Sequence, residues 1–305
     1  MYRSHQFNMT CCCQISCYTI EKTPQQMEAT MIELPETYVL SEQINQTLVG
    51  KTITGVIANG HPHSFAWYTD DPCLYPDKLA GKKITGSNPG TGYTCGGNTE
   101  ILCDDMLLVI STPIKYHPPG QKLPAKHQLL VSFGDNSHMS CTVQMWGAML
   151  CFAANEKDIR KNYKKCPTPY EDAFNRAYFD SLFDGLKPNT SVKALLATEQ
   201  RIPGFGNGVL HDVLWNARVH PKRKIETLTG EEKTALFDSV KSTLLKMRDE
   251  GGRDTEKDLF NQKGGYKTVL SSKTLIYPCP ACGRELKREA YLGGNIYFCP
   301  ICQPL

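Results

Sequence analysis

The 305-residue sequence has no apolar run of about 18 residues, the length that an α-helix needs to cross a bilayer, so no membrane span is expected. Residues 1–30 also lack the sustained apolar stretch of a secretory signal peptide. Four cysteines crowd into this segment instead: Cys11, Cys12, Cys13 and Cys17. We expect residues 1–30 to be a disordered extension, or to lie upstream of a true start at Met31.

The chain also has little net charge. Its 34 Lys and Arg residues nearly balance its 31 Asp and Glu residues, and the formal net charge is +3. Binding to a polyanion must therefore come from local basic patches, such as Lys222-Arg223-Lys224, rather than from the whole molecule. With 40% apolar and 21% charged residues, the composition is typical of a soluble protein, and the length suffices for two domains.

Cysteine is abundant, but most of it is not arranged for disulfides. Of the 14 cysteines, those before residue 274 show no paired framework, which indicates a reducing compartment. The last four have a different pattern. Cys279, Cys282, Cys299 and Cys302 form two Cys-x-x-Cys pairs separated by 16 residues, the spacing of a tetrahedral zinc site with four thiolates. The alternative is a pair of disulfides in a secreted module, which the missing signal peptide disfavours.

A small hairpin is predicted between the two cysteine pairs. Residues 291–298 are predicted to form a strand, a Gly-Gly turn and a second strand, within a zinc finger at residues 274–305. A unit of this size cannot bury enough apolar surface to fold alone, so one bound zinc ion would supply its stability. Three basic residues beside it suggest phosphate contact, although they could equally be a solvated face: Arg284, Lys287 and Arg288.

Residues 31–155 are predicted to form an N-terminal β-sandwich domain. Short apolar runs, such as residues 107–111 and 128–133, alternate with clusters of Gly, Pro, Asn and Asp. One helix is expected after Glu36. Residues 79–86 repeat the pattern of residues 48–55, which would suit two equivalent strand starts.

Residues 168–262 are predicted to be helical, after a boundary marked by Pro167 and Pro169. Phe174, Tyr178 and Leu182 recur every four residues, and Ser191 can cap a helix that carries Lys193. Thr229 and Glu232 form a capping-box pattern for a further helix, which Gly251-Gly252 would end.

Residues 201–208 join two of these helices through a turn with three glycines. We expect this turn to present Asn207 and free backbone amides at a helix start, where a phosphate can bind. Glycines there would permit a close approach of the ligand. Such a turn can also be a plain connection between helices.

The order of these parts resembles the formamidopyrimidine-DNA glycosylase and endonuclease VIII family of helix-two-turns-helix DNA repair enzymes. The resemblance covers residues 31–305. Residues 31–36, Met-Ile-Glu-Leu-Pro-Glu, are similar to the family's N-terminal Met-Pro-Glu-Leu-Pro-Glu. The other marks are Lys193, the Ile-Pro-Gly-Phe-Gly-Asn-Gly turn at residues 202–208, His220-Pro221, and the terminal Tyr-Phe-Cys-Pro-Ile-Cys-Gln.

The resemblance implies a DNA glycosylase and abasic-site lyase that excises damaged bases from double-stranded DNA. In the family, the amine of an N-terminal proline attacks the sugar C1′ and forms a Schiff base, while the adjacent glutamate acts as acid or base. The resemblance further implies a monomer in the cytoplasm, associated with the nucleoid when bound to DNA. Carried over, the catalytic residues are Glu33, Glu36 and Met31, and the DNA-binding residues are Lys193, Asn207, Lys222, Arg223, Lys224 and Trp146.

Four departures from the family pattern concern function. Ile32 occupies the position of the nucleophilic proline, and Thr91-Gly92-Tyr93 aligns with a strand that carries a catalytic lysine. Residues 144–147, Gln-Met-Trp-Gly, replace the Arg-Arg-Phe-Gly whose side chains fill the gap left by the flipped base. Asn295 replaces the phosphate-binding arginine of the zinc hairpin.

Two functional hypotheses follow. The first is a glycosylase and lyase that uses Glu33 and the α-amine of Met31, provided that translation starts there; Lys82 or Lys83 would be the next nucleophile to consider. The second is a zinc-dependent protein that binds damaged DNA and has lost or weakened catalysis. For Glu33 and Glu36, an alternative role is to place negative charge at a helix start. Trp146 could instead be a core residue.

Overall fold

The computed structural model describes residues 32–91, 94, 96–154 and 166–305. Met31, Gly92 and Tyr93 lie outside these residues, as does the segment before Met31. In the described part of the chain, no helix combines the length and the apolar character needed to span a bilayer.

Helix α1 spans Leu34–Thr47 and starts earlier than the sequence suggested. The expectation of a helix after Glu36 was wrong by one turn, because Pro35 fits the first turn of a helix, where its missing N–H is not needed. Glu33 is the residue before the helix, with an extended backbone. Leu34 packs into the helical core, whereas Leu40 and Ile44 pack into the core of the β-sandwich.

The predicted β-sandwich is confirmed. Among the described residues, one sheet has the order β1-β7-β8-β6 and the other the order β2-β9-β5-β4-β3. Their inward faces share one apolar core, with Ile53 and Val131 from the first sheet and Leu108 and Met149 from the second. The strands are β1 Ile53–Ala58, β2 Ala66–Trp67, β3 Ile84–Asn88, β4 Thr99–Cys103, β5 Met106–Ile110, β6 Ile114–His117, β7 Leu129–Phe133, β8 His138–Cys141 and β9 Gly147–Ala153. A short helix, α2, spans Tyr75–Leu79.

The internal repeat has a structural counterpart, because its two copies pair with each other. Each copy follows a helix and passes through a glycine with positive φ, Gly50 at 88° and Gly81 at 82°. Ile53 N–H donates to Lys82 O at 2.8 Å, and Ile84 N–H donates to Lys51 O at 3.0 Å. The repeat therefore starts β1 and β3 side by side and links the two sheets.

The second half of the described chain is helical, with its own apolar core. Its helices are α3 Arg176–Ser181, α4 Asn207–Asn216 and α5 Gly230–Asp249, with a π-helical turn at Ala194–Thr198. Helix α3 is shorter than the four-residue spacing predicted, because Phe174 precedes the Asn175 cap and packs in the core from a turn. The capping box of Thr229 and Glu232 is confirmed, and so is the end of α5 before Gly251, where φ is 75°.

The C-terminal hairpin is also confirmed. Strand β10 spans Lys287–Tyr291 and pairs antiparallel with β11, Gly294–Phe298. Leu292 and Gly293 form the turn, with φ values of 48° and 72°, and Gly294 begins β11, so the predicted Gly-Gly turn was wrong by one residue. Positive φ at both positions is the geometry of a tight two-residue hairpin turn, and it is strained for a leucine.

Candidate nucleic-acid interface and active site

The start of helix α4 holds a carboxylate of the protein itself. Gly208 N–H donates to Glu33 Oε1 at 2.8 Å, and Val209 N–H donates to Glu33 Oε2 at 2.7 Å. The expectation of free amides for a phosphate at this turn was therefore wrong for these two groups. A carboxylate is the ligand that the positive end of a helix favours, and here α1 delivers it.

Arg253 joins both predicted catalytic carboxylates in a buried ion cluster. Its Nη1 lies 3.3 Å from Glu33 Oε2, and its Nε and Nη2 donate to the two oxygens of Glu36 at 2.9 and 2.8 Å. The arginine is 2% exposed, and both glutamates are buried. Burial would lower the pKa of Arg253, but the two carboxylates raise it, so the guanidinium is a permanent cation between them.

Two glycines of the turn leave the space that this cluster fills. A Cβ atom at residue 206 would overlap the Glu33 carboxylate, and one at residue 208 would overlap Nη1 of Arg253. Their role in this structure is to admit protein side chains rather than an outside ligand. Gly204, with φ of 77°, lets the chain turn against Gly97.

Glu33 has the environment of an acid-base group. Burial raises its pKa, while Arg253 and the two backbone amides lower it, and the net direction is upward. A carboxyl group with a raised pKa can hold or release a proton closer to neutral pH than an ordinary glutamate. Both Glu36 oxygens are bonded to Arg253, and the structure assigns Glu36 to holding that arginine.

The position of the family's nucleophile is apolar here. Ile32 is 4% exposed and belongs to the core of the β-sandwich. The Ile32 nitrogen is an amide while Met31 precedes it in the chain, so an attacking amine would have to come from elsewhere. The α-amine of Met31, the candidate from the sequence, lies outside the described residues.

Lys193 and Asn207 converge on the tip of the hairpin. Lys193 Nζ donates to Tyr291 O at 2.7 Å. A Cβ atom at Gly294 would lie 3.6 Å from that ammonium and 3.2 Å from Nδ2 of Asn207. Burial lowers the pKa of Lys193. Asn207 is exposed, so its amide is the freer of the two to meet a ligand.

A cavity of about 340 Å³ opens between α4, β11 and the chain after α5. Glu33, Asn207, Arg253 and Asn295 line it, and so does His211. Within the described residues, Nε2 of His211 and Oγ1 of Thr268 are buried without a hydrogen-bond partner in this cavity. Burial lowers the pKa of His211 to about 3, so its ring stays neutral and can accept a hydrogen bond from a ligand donor.

The predicted basic patch lines a second groove, of about 660 Å³, beside the hairpin. Each of its three cations already has a partner. Lys222 pairs with Glu289 of β10, Arg223 Nη2 lies 3.2 Å from Glu232, and Lys224 Nζ donates to Asn189 O at 2.6 Å. Lys222 also lies 5.4 Å from the centre of the Tyr291 ring, which connects this groove to the hairpin tip.

Trp146 lies apart from these groups, in the loop between β8 and β9 of the β-sandwich. It is half-buried and stacks on Trp67, with ring centres 5.6 Å apart and planes at 19°. Neighbouring Met145 is 62% exposed. Trp146 is thus only partly packed into the protein, and its contact with DNA stays a prediction.

The four C-terminal cysteines form one cluster that can hold a metal ion. Their sulfur atoms all lie within 4.8 Å of one another, and the thiols are free rather than joined in disulfides. Cys279 and Cys302 are 3.8 Å apart, and Cys282 and Cys299 are 3.4 Å apart, close to the sulfur spacing of a tetrahedral site with metal–sulfur bonds of about 2.3 Å. Burial would raise the pKa of Cys279, but hydrogen bonds, including those from the amides of Ala281 and Cys282, lower it to about 6.

Sequence reasoning missed Arg253, His211 and Asp212. Arg253 follows a Gly-Gly helix end, and nothing local indicates that it reaches back to α1. The Asp212 carboxylate accepts from Val269 and Leu270 N–H at 2.9 and 2.8 Å and fixes the chain that leads into the cysteine cluster. His211 and Asp212 lie on the buried face of α4, where a periodicity of apolar residues gives no signal for polar ones.

Comparison with known proteins gives a consistent result. Residues 166–257 match the model of the formamidopyrimidine-DNA glycosylase H2TH domain. A formamidopyrimidine-DNA glycosylase of Thermus thermophilus is 32% identical over 143 residues, which are 45% of this chain and 52% of the relative. The match thus spans about half the length of that relative. A formamidopyrimidine-DNA glycosylase of Bacillus cereus is 25% identical over 291 residues, 90% of this chain and 99% of the relative.

Solved structures share the fold. The crystal structure of the Fpg (MutM) protein of Thermus thermophilus superimposes with a TM-score of 0.72 at 21% identity, covering 89% of this chain and 98% of that one. The Lactococcus lactis Fpg, in complex with DNA that contains an abasic site, gives 0.75 at 24% identity, covering 90% and 100%. Residues 166–257 thus match the H2TH domain of formamidopyrimidine-DNA glycosylases, and the chain is similar to these glycosylases in sequence and in fold over about 90% of its length.

Proposed function

We propose that this protein is a DNA glycosylase and abasic-site lyase that removes damaged bases from DNA in base excision repair. One observation carries the proposal. Glu33, a buried carboxyl group with a raised pKa, lines the same cavity as the exposed amide of Asn207. An acid-base group would thus lie next to a residue that can hold the DNA backbone. The relatives support the same activity by name.

The proposed roles of the remaining residues follow from their positions. Lys193 and Asn207 would hold phosphates beside the hairpin tip, and Lys222, Arg223 and Lys224 would contact the backbone farther along. Trp146 would stack in the gap left by a flipped base. One zinc ion would bind through Cys279, Cys282, Cys299 and Cys302; when bound, it supplies folding energy to the hairpin. We further propose a monomer that acts in the cytoplasm, at the nucleoid, with the division into residues 31–155, 168–262 and 274–305.

In this proposal, Glu33 donates and accepts protons while an amine attacks C1′ of the sugar. Attack on C1′ forms a carbon–nitrogen bond as the bond to the damaged base breaks, and an acid gives the leaving base its proton. Opening of the C1′–O4′ bond, with a proton passed from the nitrogen to O4′, then gives the imine that is the intermediate of strand cleavage. The α-amine of Met31 would be the attacking group in a chain that begins there. If water attacks instead, the base is released and the strand stays intact.

A second candidate is a protein that binds damaged DNA without cleaving it. Two observations favour it: Ile32 is buried where the nucleophile is expected, and Arg253 is bonded to both glutamates. The binding residues near the hairpin do not depend on either feature. Such a protein would bind DNA through the same residues but would neither excise a base nor cleave the strand.

Borohydride trapping separates the two candidates. Protein that begins at Met31 is incubated with DNA containing an abasic site, and the covalent adduct is measured beside strand nicking and base release from DNA with an oxidised base. A glycosylase and lyase gives all three signals. The Glu33→Gln variant should lose them without losing DNA affinity, since the carboxylate serves the chemistry rather than phosphate contact.

The remaining outcomes are equally informative. Tight DNA binding with neither adduct nor base release would establish the second candidate. An adduct formed equally well by the full 305-residue chain, which has no free amine at Met31, would place the nucleophile elsewhere, with Lys82 and Lys83 as the next lysines to replace. No binding to any DNA by the zinc-loaded protein would reject both.

A further inference from the structure

Four aromatic rings form a continuous row on one side of the β-sandwich. Trp67 stacks on Trp146 at 5.6 Å between ring centres, Trp146 meets Phe65 at 4.5 Å, and Phe65 meets His63 at 6.2 Å. We call these four residues the aromatic ladder. Three of them come from the segment between β1 and β3, which the sequence analysis did not single out.

The backbone holds the ladder in place. Strand β2 runs parallel to β9, with Ala66 opposite Gly147, and Gly147 N–H donates to Phe65 O at 3.0 Å. A Cβ atom at residue 147 would lie 2.8 Å from Thr112 and 2.9 Å from Val143, so a glycine there lets the loop lie flat on the sheet. The rings are thus fixed relative to each other before any ligand arrives.

Trp67, at one end of the ladder, packs against the protein, whereas Phe65, next to the other end, is exposed. Trp67 packs on a buried cluster on the five-stranded sheet, which includes Val109 and Leu150. Phe65 is 44% exposed, and Met145 beside Trp146 is more exposed still. Rings that served the core alone would be covered, whereas these present apolar faces to solvent.

The surroundings suit a polyanion. Residues 118–128 contain no Asp or Glu and carry Lys122 and Lys126, whereas residues 57–69 contain no Lys, Arg, Asp or Glu and are followed by Asp70 and Asp71. The two segments lie side by side, because His61 N–H donates to His127 O at 3.2 Å and Gln128 Nε2 donates to His61 O at 2.8 Å. An aromatic row beside a basic segment, here residues 118–128, is the arrangement that single-stranded nucleic acid binds.

We propose that the aromatic ladder binds unpaired bases by stacking, and that the substrate class is DNA with a single-stranded stretch next to the lesion. This inference rests on the proposed function, since it places the bases beside Trp146. A single wedge would need one ring. Trp67 and Trp146 stack on each other, whereas Phe65 is exposed and tilted beside them, so a base stacked on Phe65 would extend the row. Such a base is available only where the strands are apart, and each stacked base contributes about 1–3 kcal/mol.

The test compares two DNA molecules of the same sequence, one a continuous duplex and one with a central unpaired bubble. Fluorescence anisotropy of end-labelled DNA measures both affinities for the zinc-loaded protein. We expect the bubble to bind at least about fivefold more tightly, the equivalent of one stacked base. In the Phe65→Ser variant this ratio should fall towards one, whereas Phe65→Tyr should keep it.

Leu74→Ser is the matched control, because Leu74 is 45% exposed in the same domain and lies outside the ladder. It should keep the native ratio, and urea unfolding should show that both serine variants fold.

A second readout uses the Trp215→Phe variant, in which Trp67 and Trp146 are the remaining tryptophans of the three. Bubble DNA should quench their fluorescence more than duplex does.

Each outcome decides the matter. Equal affinity of the native protein for the two DNA molecules, or an unchanged ratio in Phe65→Ser, would overturn the inference and leave the proposed function standing. An equal loss on both DNA molecules in folded Phe65→Ser would also overturn it, since the ladder would then be a general DNA contact. No binding to either DNA would count against the proposed function itself.

Discussion

Arg253 donates hydrogen bonds to both carboxylate oxygens of Glu36, a residue 217 positions earlier in the chain. The distances are 2.9 Å from Nε to Oε1 and 2.8 Å from Nη2 to Oε2. The same guanidinium faces Glu33 through Nη1. The cluster therefore ties the start of α1, the start of α4 and the end of α5 together in one buried place. We expect the cluster to hold the Glu33 carboxylate in position at the proposed active site.

Removal of the arginine tests this role. Arg253→Met would leave two carboxylates buried without their cation, and we expect a loss of about 3–5 kcal/mol in the free energy of unfolding, measured with urea. Arg248→Met is the control, because that arginine pairs with Asp249 at the surface and should cost less than about 1 kcal/mol. Adding Glu33→Gln and Glu36→Gln to Arg253→Met should recover part of the loss. A cost for Arg253→Met as small as that of the control would contradict the proposed role.

The glycine at position 208 gives a second test. Gly208→Ala would place a methyl group on the Arg253 guanidinium, and the resulting strain should cost about 1–3 kcal/mol. Gly230→Ala makes the same change at the start of α5, where a Cβ meets open space, and should be neutral or slightly stabilising. Equal effects of the two substitutions would show that the space at Gly208 is not needed.

Metal content tests the cysteine cluster. Cys299→Ser should bring the zinc content from one ion per chain to near zero, because three thiolates and a hydroxyl hold zinc poorly. The hairpin should then unfold while the β-sandwich keeps its circular dichroism. Cys73→Ser, at an exposed thiol of the β-sandwich, is the control and should retain the ion. Full zinc in the Cys299 variant would exclude the four-thiolate site.

The salt dependence of DNA binding tests the basic groove. Lys222→Ala should lower the slope of the logarithm of affinity against the logarithm of salt concentration by about one, since each phosphate contact releases counterions. Lys246→Ala, at an exposed lysine of the last turn of α5, should leave the slope unchanged. An unchanged slope in Lys222→Ala would mean that this lysine serves its ion pair with Glu289 alone.

The buried histidine predicts a pH dependence of stability. The pKa of His211 is lowered by burial to about 3 in the folded protein, against an ordinary value of 6.5. Between these values the unfolded chain binds a proton that the folded protein does not, so stability falls as the pH drops below about 6.5. Going from pH 7 to pH 5 should cost about 2 kcal/mol through this group.

The His211→Asn variant isolates this contribution. Asp212 acts in the opposite direction, because burial raises its pKa to about 6, but it is present in both proteins and cancels in the comparison. Urea unfolding at the two pH values should show a smaller loss in the variant than in the native protein. The partly exposed His63→Asn change is the control. Identical losses in His211→Asn and native protein would reject the prediction.

Local patterns in the sequence sufficed for much of the architecture. The apolar runs at residues 107–111 and 128–133, the capping box at Thr229 and the Cys-x-x-Cys pairs are each formed within a few residues of chain. Hydrogen bonding, apolar periodicity and metal-ligand spacing are local properties, so these features could be predicted. The helix at Phe174 was overestimated because a buried aromatic in a turn has the same spacing as one in a helix.

The sequence by itself determined the resemblance to the glycosylase family, the sandwich, the helical part and the cysteine cluster. The tertiary structure alone decided what fills the glycine turn, since Glu33 and Arg253 come from elements that lie far apart in the chain. It also decided that Ile32 is in the core, and that His63, Phe65 and Trp67 meet Trp146 in one row. Long-range packing sets these contacts, and no local pattern records which distant side chains will share a buried space.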